Sequence, residues 1–418
     1  MTNWLIGSGL MQADVTLFIS SYSLAFGEYG CAYGERFGSI LARTMNEALD
    51  KNSGTIYIFG NGGCHAIARC FRHALLARAG PKHSRSRIVT SVDPDNHSLT
   101  SPIPGPVYHD MLRLDEAGAD DLVILLSGSG DSDNLVEVAH LAAVKNIPLI
   151  AMVGAAECAL KTVVPAAFFF PVGIKDQQIG EDIIQYLATF VGAGRGSENA
   201  IGSAFSRHAA HITGLSAEFV LRIAESVYRS FVDRQRVRVL GLGHPAMAAC
   251  AEHTAHNFNW DAFYEVDSNP DVTIISSPSA CDYSGISNDR RQQYLRHFYK
   301  IYGDGDRSTT VIFAAAGSES LIQELGVGAP NSVMEAFVLG ADSPPQGLPE
   351  TNVYCSHLVD PFDHASLAQC TGHIVGRILR LKMQQGQKGP ESTSTPGDSV
   401  HEYLTAGDLA QRRWLNRG

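Results

Sequence analysis

Ser127, Ser129 and Ser132 fall in one short stretch, Ser127-Gly-Ser-Gly-Asp-Ser-Asp-Asn134, directly after an unbroken apolar run at 122–126. A strand feeding such a turn, followed by a helix, gathers hydroxyls and first-turn backbone N–H groups at one point. That arrangement suits a phosphate monoester. Helix capping alone would use one hydroxyl of the three. A second apolar strand, Thr55-Ile-Tyr-Ile-Phe59, runs into Gly60-Asn-Gly-Gly-Cys64, whose glycines let a ligand come close to the backbone. The expected phosphate or substrate contacts are therefore Asn61, Gly62, Gly63, Cys64, Ser127, Ser129 and Ser132. Asp93, just past a strand at 88–92, is expected at the mouth of the same pocket.

Groups able to move protons gather elsewhere. Glu252 and His256 stand four apart on one helical stretch, and His253 and His256 three apart, a spacing that serves either a surface pair or metal ligation. Histidine also has the ordinary pKa best suited to proton transfer near neutrality. His65 and His73 read as capping or solvated residues of the helix after the first loop. His357 and His364, either side of Asp360-Pro-Phe-Asp363, are open to either reading, and the Cys64 thiol either touches a ligand or packs. A rival chemistry comes from Gly241-Leu-Gly-His-Pro-Ala246, which fits the G-x-G-x-x-A dinucleotide fingerprint, with Glu265 or Asp267 placed to meet a ribose. A single such match is weak, and the elements after it follow the order of the first half instead.

The elements that must position these residues read as alternating strands and helices. Helical spacing covers 35–51 and the segment from Cys64 to Gly80-Pro81. Strands are expected at 55–59, 88–92, 122–126, 148–153 and 166–172, with helices to about 145 and over 175–191. Unbroken apolar strands between helices imply parallel sheets covered on both faces, an α/β doubly wound class. The pattern then restarts, with helices at 217–232, through His253 and at 363–383, and strands at 236–240, 272–276 and 309–314. The loops and the late helix recur roughly 181 to 187 residues after their first-half counterparts, as a diverged duplication would give. The expected organisation is a first domain at 1–195, a linker at 196–208, a second domain at 209–384, and a polar linker with a short docking segment at 385–418.

Composition narrows the class further. The 418 residues are 44% hydrophobic and only 18% charged, so a large core is available. A net charge of −11, with no basic cluster, argues against nucleic acid as a partner. No apolar run approaches a membrane span, and the start of the chain lacks the basic stretch of a secretory leader. Eight cysteines without a C-x-x-C pair suit reduced thiols in a cytoplasmic setting.

Tyr57-Ile-Phe-Gly-Asn-Gly-Gly-Cys-His65, followed by the 122–134 strand and serine loop, resembles the SIS (sugar isomerase) domain, most of all the phosphoheptose isomerases. The likeness covers about 35–191 and persists more weakly in the second half, at 272–277, at Tyr283 to Asp289 and around Gln369. It implies two tandem SIS domains, each a three-layer αβα sandwich, and a phosphosugar isomerase working through an enediolate. Family members carry His-x-x-x-Glu on the helix after the first loop and a Gln and a His eight apart on the late helix, which hold zinc or supply acid and base. In the first half those slots fall on Cys70, Ala74, Gly180 and Ala188. In the second they fall on His253, Asn257, Gln369 and Arg377, with His256 and His373 close by. Ala314, Ala315 and Ala316 replace the serines there, leaving Ser318 and Ser320.

The resemblance therefore implies catalytic His253, His256, Gln369 and His373, and zinc, if bound, on His253 with His256, Gln369 or His373. It implies one site shared by two halves that have lost opposite features, and a homodimer imitating a tetramer of single domains. A non-catalytic, sugar-phosphate-sensing protein is the alternative.

Overall fold

The computed structural model describes residues 12–50, 54–79, 87–90, 107–195, 200–233, 235–263, 274–276, 308–315, 318, 322, 334–340, 352–358 and 360–387. Asp93, Glu265, Asp267, the 283–289 stretch, Ala316, Ser320 and the tail beyond 387 lie outside these residues. Contacts divide the described chain into a first unit, 23–209, and a second, 12–22 with 210–387.

In the first unit five parallel strands, β1 (Thr55–Gly60), β2 (Arg87–Thr90), β3 (Leu122–Ser127), β4 (Leu149–Val153) and β5 (Phe169–Pro171), stand in the order β2-β1-β3-β4-β5. Every residue of β1, β3 and β4 is buried, as the continuous apolar runs require of a sheet covered on both faces. The helices are α1 (Gln12–Asp50), α2 (Gly63–Ala79), α3 (Val107–Leu114), α4 (Asp133–Val144), the short α5 (Leu160–Val163) and α6 (Gln177–Gly192). Tyr108 and Leu112 of α3, with Leu135 and Val138 of α4, pack on Tyr57, Phe59, Val123 and Leu125 in one core.

Two differences from the sequence expectation have clear causes. Helix α1 starts at Gln12 rather than near 35, and its interior carries Gly27, Gly30, Gly34 and Gly38, residues that lower helix propensity. Their missing side chains admit a neighbour. A Cβ on Gly30 would lie 2.2 Å from the Phe205 ring, and one on Gly34 2.4 Å from Ile201. Those partners belong to α7 (Ile201–Thr213), so the stretch expected as a linker at 196–208 is helical from Ile201. Ile201, Ala204, Phe205 and His208 bury one face of it, and Phe205 also meets Tyr186 edge to face.

The second unit repeats the plan. Strands β6 (Arg236–Leu242), β7 (Ile274–Ser276), β8 (Ser308–Ala314), β9 (Met334–Leu339) and β10 (Val353–Tyr354) are parallel, and their order, β7-β6-β8-β9-β10, is the order of the first sheet. Its helices include α8 (Ala217–Val232), capped by the Ser216 hydroxyl, α9 (Pro245–Phe263) and α10 (Pro361–Gln387). The chain is thus an α/β protein with two parallel sheets. Among the described residues no helix is long and apolar enough to cross a membrane.

Candidate functional site

In the first unit the two loops leave the sheet side by side. Gly60 is level with Leu126 on β3, and Ser127 with Val153 on β4, so both loops open at the carboxyl edge where open α/β sheets bind ligands. Gly62 takes φ +51 and Gly130 φ +79, left-handed values that glycine adopts without strain. The Ser127 hydroxyl accepts from Gly130 N at 2.8 Å and that of Ser129 from Asp131 N at 3.3 Å, leaving both hydroxyl protons available to an acceptor. Ser132 is the N-cap of α4, yet its side chain makes no capping bond. Simple capping therefore does not explain it. The Asp131 carboxylate is drawn away from the turn by Ala159 N, 2.8 Å distant.

Asn61 has a different task from the expected one. Its Nδ2 donates to Asn134 Oδ1 at 2.8 Å, and Asn134 Nδ2 donates back to Asn61 Oδ1 at 3.0 Å. This reciprocal pair ties the first loop to the start of α4. Cys64 is buried, and burial first, then the Glu181 carboxylate, pushes its thiol well above the ordinary range. It is thus a neutral thiol rather than a nucleophile. His65 is buried as well, not solvated as expected, because α2 turns that face inward.

Two residues that the sequence reading passed over stand behind these loops. Gln177 Nε2 donates to Glu181 Oε1 at 2.9 Å, and a Cβ on Gly128 would lie 2.5 Å from that same oxygen. Their signal was a Gln-x-x-x-Glu spacing just after the Asp176 N-cap, one residue away from the Gly180 slot. The slots themselves serve packing. Cys70, Ala74 and Ala188 are fully buried, a Cβ on Gly192 would meet that of Ala74 at 2.9 Å, and one on Gly180 would meet Gly154 Cα at 3.2 Å.

In the second unit the carboxyl edge is furnished differently. Gly243 takes φ +82, and a Cβ there would lie 2.1 Å from the buried Ser318 hydroxyl. Ala314 ends β8 where Ser127 ends β3. His244 Nδ1 accepts from Ala246 N at 3.2 Å, so a dinucleotide pyrophosphate would find that N–H of α9 already taken. His364 is buried, its ring nitrogens facing the Ala314 and Leu358 carbonyls, and thereby anchors the start of α10. His357 is exposed, at φ +50. The Arg377 guanidinium lies over the Tyr22 ring, 5.6 Å from its centre, which gives that slot to cation–π packing.

Helices α9 and α10 bring His253 and His373 together. Their Nε2 atoms are 3.1 Å apart and their rings nearly perpendicular, at 80°. Both are buried, as is Gln369. The approach is close because α10 carries Gly372, where a Cβ would lie 2.3 Å from Thr254 Oγ1. Burial first, then the His373 and His256 rings, hold His253 well below the usual 6.5, while its hydrogen bond with Gln369 works the other way. His253 is therefore neutral at physiological pH, with a lone pair to offer. His256 is half-buried and acts on His253 through charge. Two nitrogens bound to one tetrahedral zinc would be about 3.3 Å apart, so His253 and His373 fit that spacing, with the Gln369 amide as a neutral third donor.

Residues 39–154 match the SIS domain family. No curated protein matches the sequence. Among solved structures, tagatose-6-phosphate ketose/aldose isomerase from Escherichia coli is similar at 15% identity and a TM-score of 0.58, covering 91% of this chain and 96% of that one. The C-terminal domain of glucosamine-fructose-6-phosphate aminotransferase from Francisella tularensis is similar at 10% and 0.52, covering 85% and 96%. Glucosamine-6-phosphate deaminase from Thermotoga maritima follows at 14% and 0.51, covering 88% and 94%. At these identities the likeness establishes the fold.

Proposed function

We propose that this chain is a phosphosugar isomerase of the aldose–ketose type, built from two SIS-like units in tandem. The first unit binds the substrate phosphate through Ser127, Ser129, Ser132 and the backbone at Gly62 and Gly63. The second supplies acid and base through His253, His373 and Gln369, with His256 beside them. The observation that carries this reading is the buried imidazole pair, 3.1 Å apart, with His253 kept neutral and so able to act as a base. The shared strand order of the two sheets supports the tandem arrangement, and the name of the E. coli neighbour agrees with the reaction class.

In the forward direction His253 takes the C2 proton of the open-chain aldose. The resulting enediolate is reprotonated at C1, while the hydroxyl proton passes from O2 to O1, so that atoms and charge balance. Gln369 offers an amide to the oxygen where charge develops. A divalent cation such as zinc, held by His253, His373 and Gln369, would polarise the carbonyl when bound; it would then occupy the His253 lone pair, and His256 would be the base in its place. The reading also includes a homodimer, which light scattering on the purified chain would reveal.

A second reading is a sugar-phosphate-binding protein without catalysis. The occupation of the slots at Cys70, Ala74, Gly180 and Ala188 by helix packing favours it. Incubation with a panel of pentose to heptose phosphates in deuterated water separates the two. Isomerase activity would place solvent deuterium at C1 or C2. Binding of a sugar phosphate without any exchange would overturn the enzyme in favour of the sensor.

A further inference from the structure

Asn257 lies on α9 one helical turn beyond His253, on the same face of the helix. It is 8% exposed, and its Nδ2 is enclosed and makes no hydrogen bond. Leaving an amide donor in that condition is unfavourable, so such groups are rare unless something else completes them. The neighbouring Thr254 hydroxyl is buried and without a partner too, but it faces Gly372 and serves the contact between α9 and α10.

Its chemistry suits one task. The enediolate of the proposed reaction develops negative charge on oxygen next to the carbon that loses its proton. A neutral amide donor stabilises such an oxygen without adding charge near the base, and it needs little reorganisation when already held in place. A carboxylate in this position would repel the developing anion. An ammonium group would meet an imidazole that has just become positive. The amide avoids both conflicts.

We infer that Asn257 is a catalytic residue of this site, donating its amide N–H to the carbonyl oxygen that becomes the enediolate oxygen. The inference rests on the isomerase reading. It goes beyond that reading by assigning a residue where the family resemblance implies only a lost glutamate.

The test compares Asn257→Ala, Asn257→Ser and the unaltered chain, each checked by thermal melting, for solvent deuterium exchange into a sugar phosphate and for its binding by calorimetry. The expected result for Asn257→Ala is turnover lower by about 10²-fold, as for removal of one oxyanion donor, with affinity within about twofold of the parent. Asn257→Ser, which keeps a smaller donor, should recover part of that loss. A chain whose exchange survives Asn257→Ala unchanged overturns the assignment. So does a loss that Asn257→Ser fails to relieve at all, since that marks a packing role. If Asn257→Ala fails to fold, the serine variant decides alone: partial turnover with intact affinity supports the donor, and full turnover refutes it. Absence of exchange in the unaltered chain despite binding overturns the isomerase reading itself, an outcome distinct from either.

Discussion

The clasp between Asn61 and Asn134 can be measured directly. Its two hydrogen bonds, at 2.8 and 3.0 Å, are a side-chain link between the two loops of the first unit. A half-buried neutral hydrogen bond contributes about 0.5–1.5 kcal/mol net, so the pair should be worth about 2 kcal/mol. Either single change, Asn61→Ala or Asn134→Ala, breaks both bonds at once, and water can solvate the orphaned amide left behind. The double variant therefore has little more to lose than either single one. The expected coupling in a double-mutant cycle is about 1–2 kcal/mol. Phosphosugar binding must then order both loops afresh, so each single variant should bind about tenfold more weakly, as 1.4 kcal/mol implies. Calorimetric dissociation constants for the four chains provide the cycle. Strictly additive losses would refute the clasp, and unaltered affinity in both single variants would refute its role in shaping the cradle.

The remaining expectations concern the serine loop and the acid side of the stability curve. Ser127→Ala and Ser129→Ala should each weaken phosphosugar binding by about tenfold or more, since a hydrogen bond to a charged acceptor is worth about 1.5–3 kcal/mol; equal affinities in calorimetry would remove this loop as the anion site. His253→Ala should abolish exchange while sparing affinity, whereas Ser127→Ala should act mainly through affinity, a split that steady-state kinetics and calorimetry read together. Because the folded state holds His253 below its ordinary 6.5, the unfolded chain binds a proton first as pH falls. Stability from this group is thus full above about pH 6.5 and declines below it, and urea midpoints at pH 7.5 and 5.5 should differ less in His253→Asn than in the parent.

What the sequence discloses follows from how locally each feature is determined. The strand at 122–126 and the helix at 217–232 were legible because their apolar spacing is dictated by burial along a single element. The first half of α1 was not. Gly27, Gly30, Gly34 and Gly38 look like helix breakers until Ala209, Phe205 and Ile201, far along the chain, are seen to fill the space beside them. Strand β9 escaped for a similar reason. Its Glu335 interrupts an apolar run, but that carboxylate accepts from Ser226 at 2.8 Å and Arg229 at 3.1 Å. At the site, residue types were readable and partners were not. The serines announced a turn that gathers donors. That Asn61 would bond to Asn134, and that His373 rather than His256 would meet His253, depends on how close two separate segments come.

That closeness in the second unit rests on Gly372, which leads to a further prediction. A Cβ at this position would lie 2.3 Å from Thr254 Oγ1, 3.0 Å from its Cγ2 and 3.1 Å from its Cβ. The first distance is too short to survive and the other two are tighter than ordinary contact, so Gly372→Ala must push α9 and α10 apart or force Thr254 out of its rotamer. Overpacking of this kind costs about 1–3 kcal/mol. Against it stands a gain of about 1 kcal/mol, because alanine suits a helix interior better than glycine. The variant should be destabilised on balance, and its widened helix pair should separate His253 from His373 and lower exchange. Thr254→Ala removes the two offending atoms and a buried hydroxyl that has no partner, so it should be close to neutral alone. In the combined variant the severe clash is gone, only the 3.1 Å contact between the two Cβ atoms is left for a small shift to relieve, and the propensity gain remains. It should therefore be at least as stable as Thr254→Ala and regain the exchange that Gly372→Ala loses. Thermal melting and solvent exchange on the three chains test this. If Gly372→Ala matches the parent in both, close approach of the two helices is not what brings the imidazoles together. If the combined variant fails to recover, Thr254 is not the group that sets their spacing.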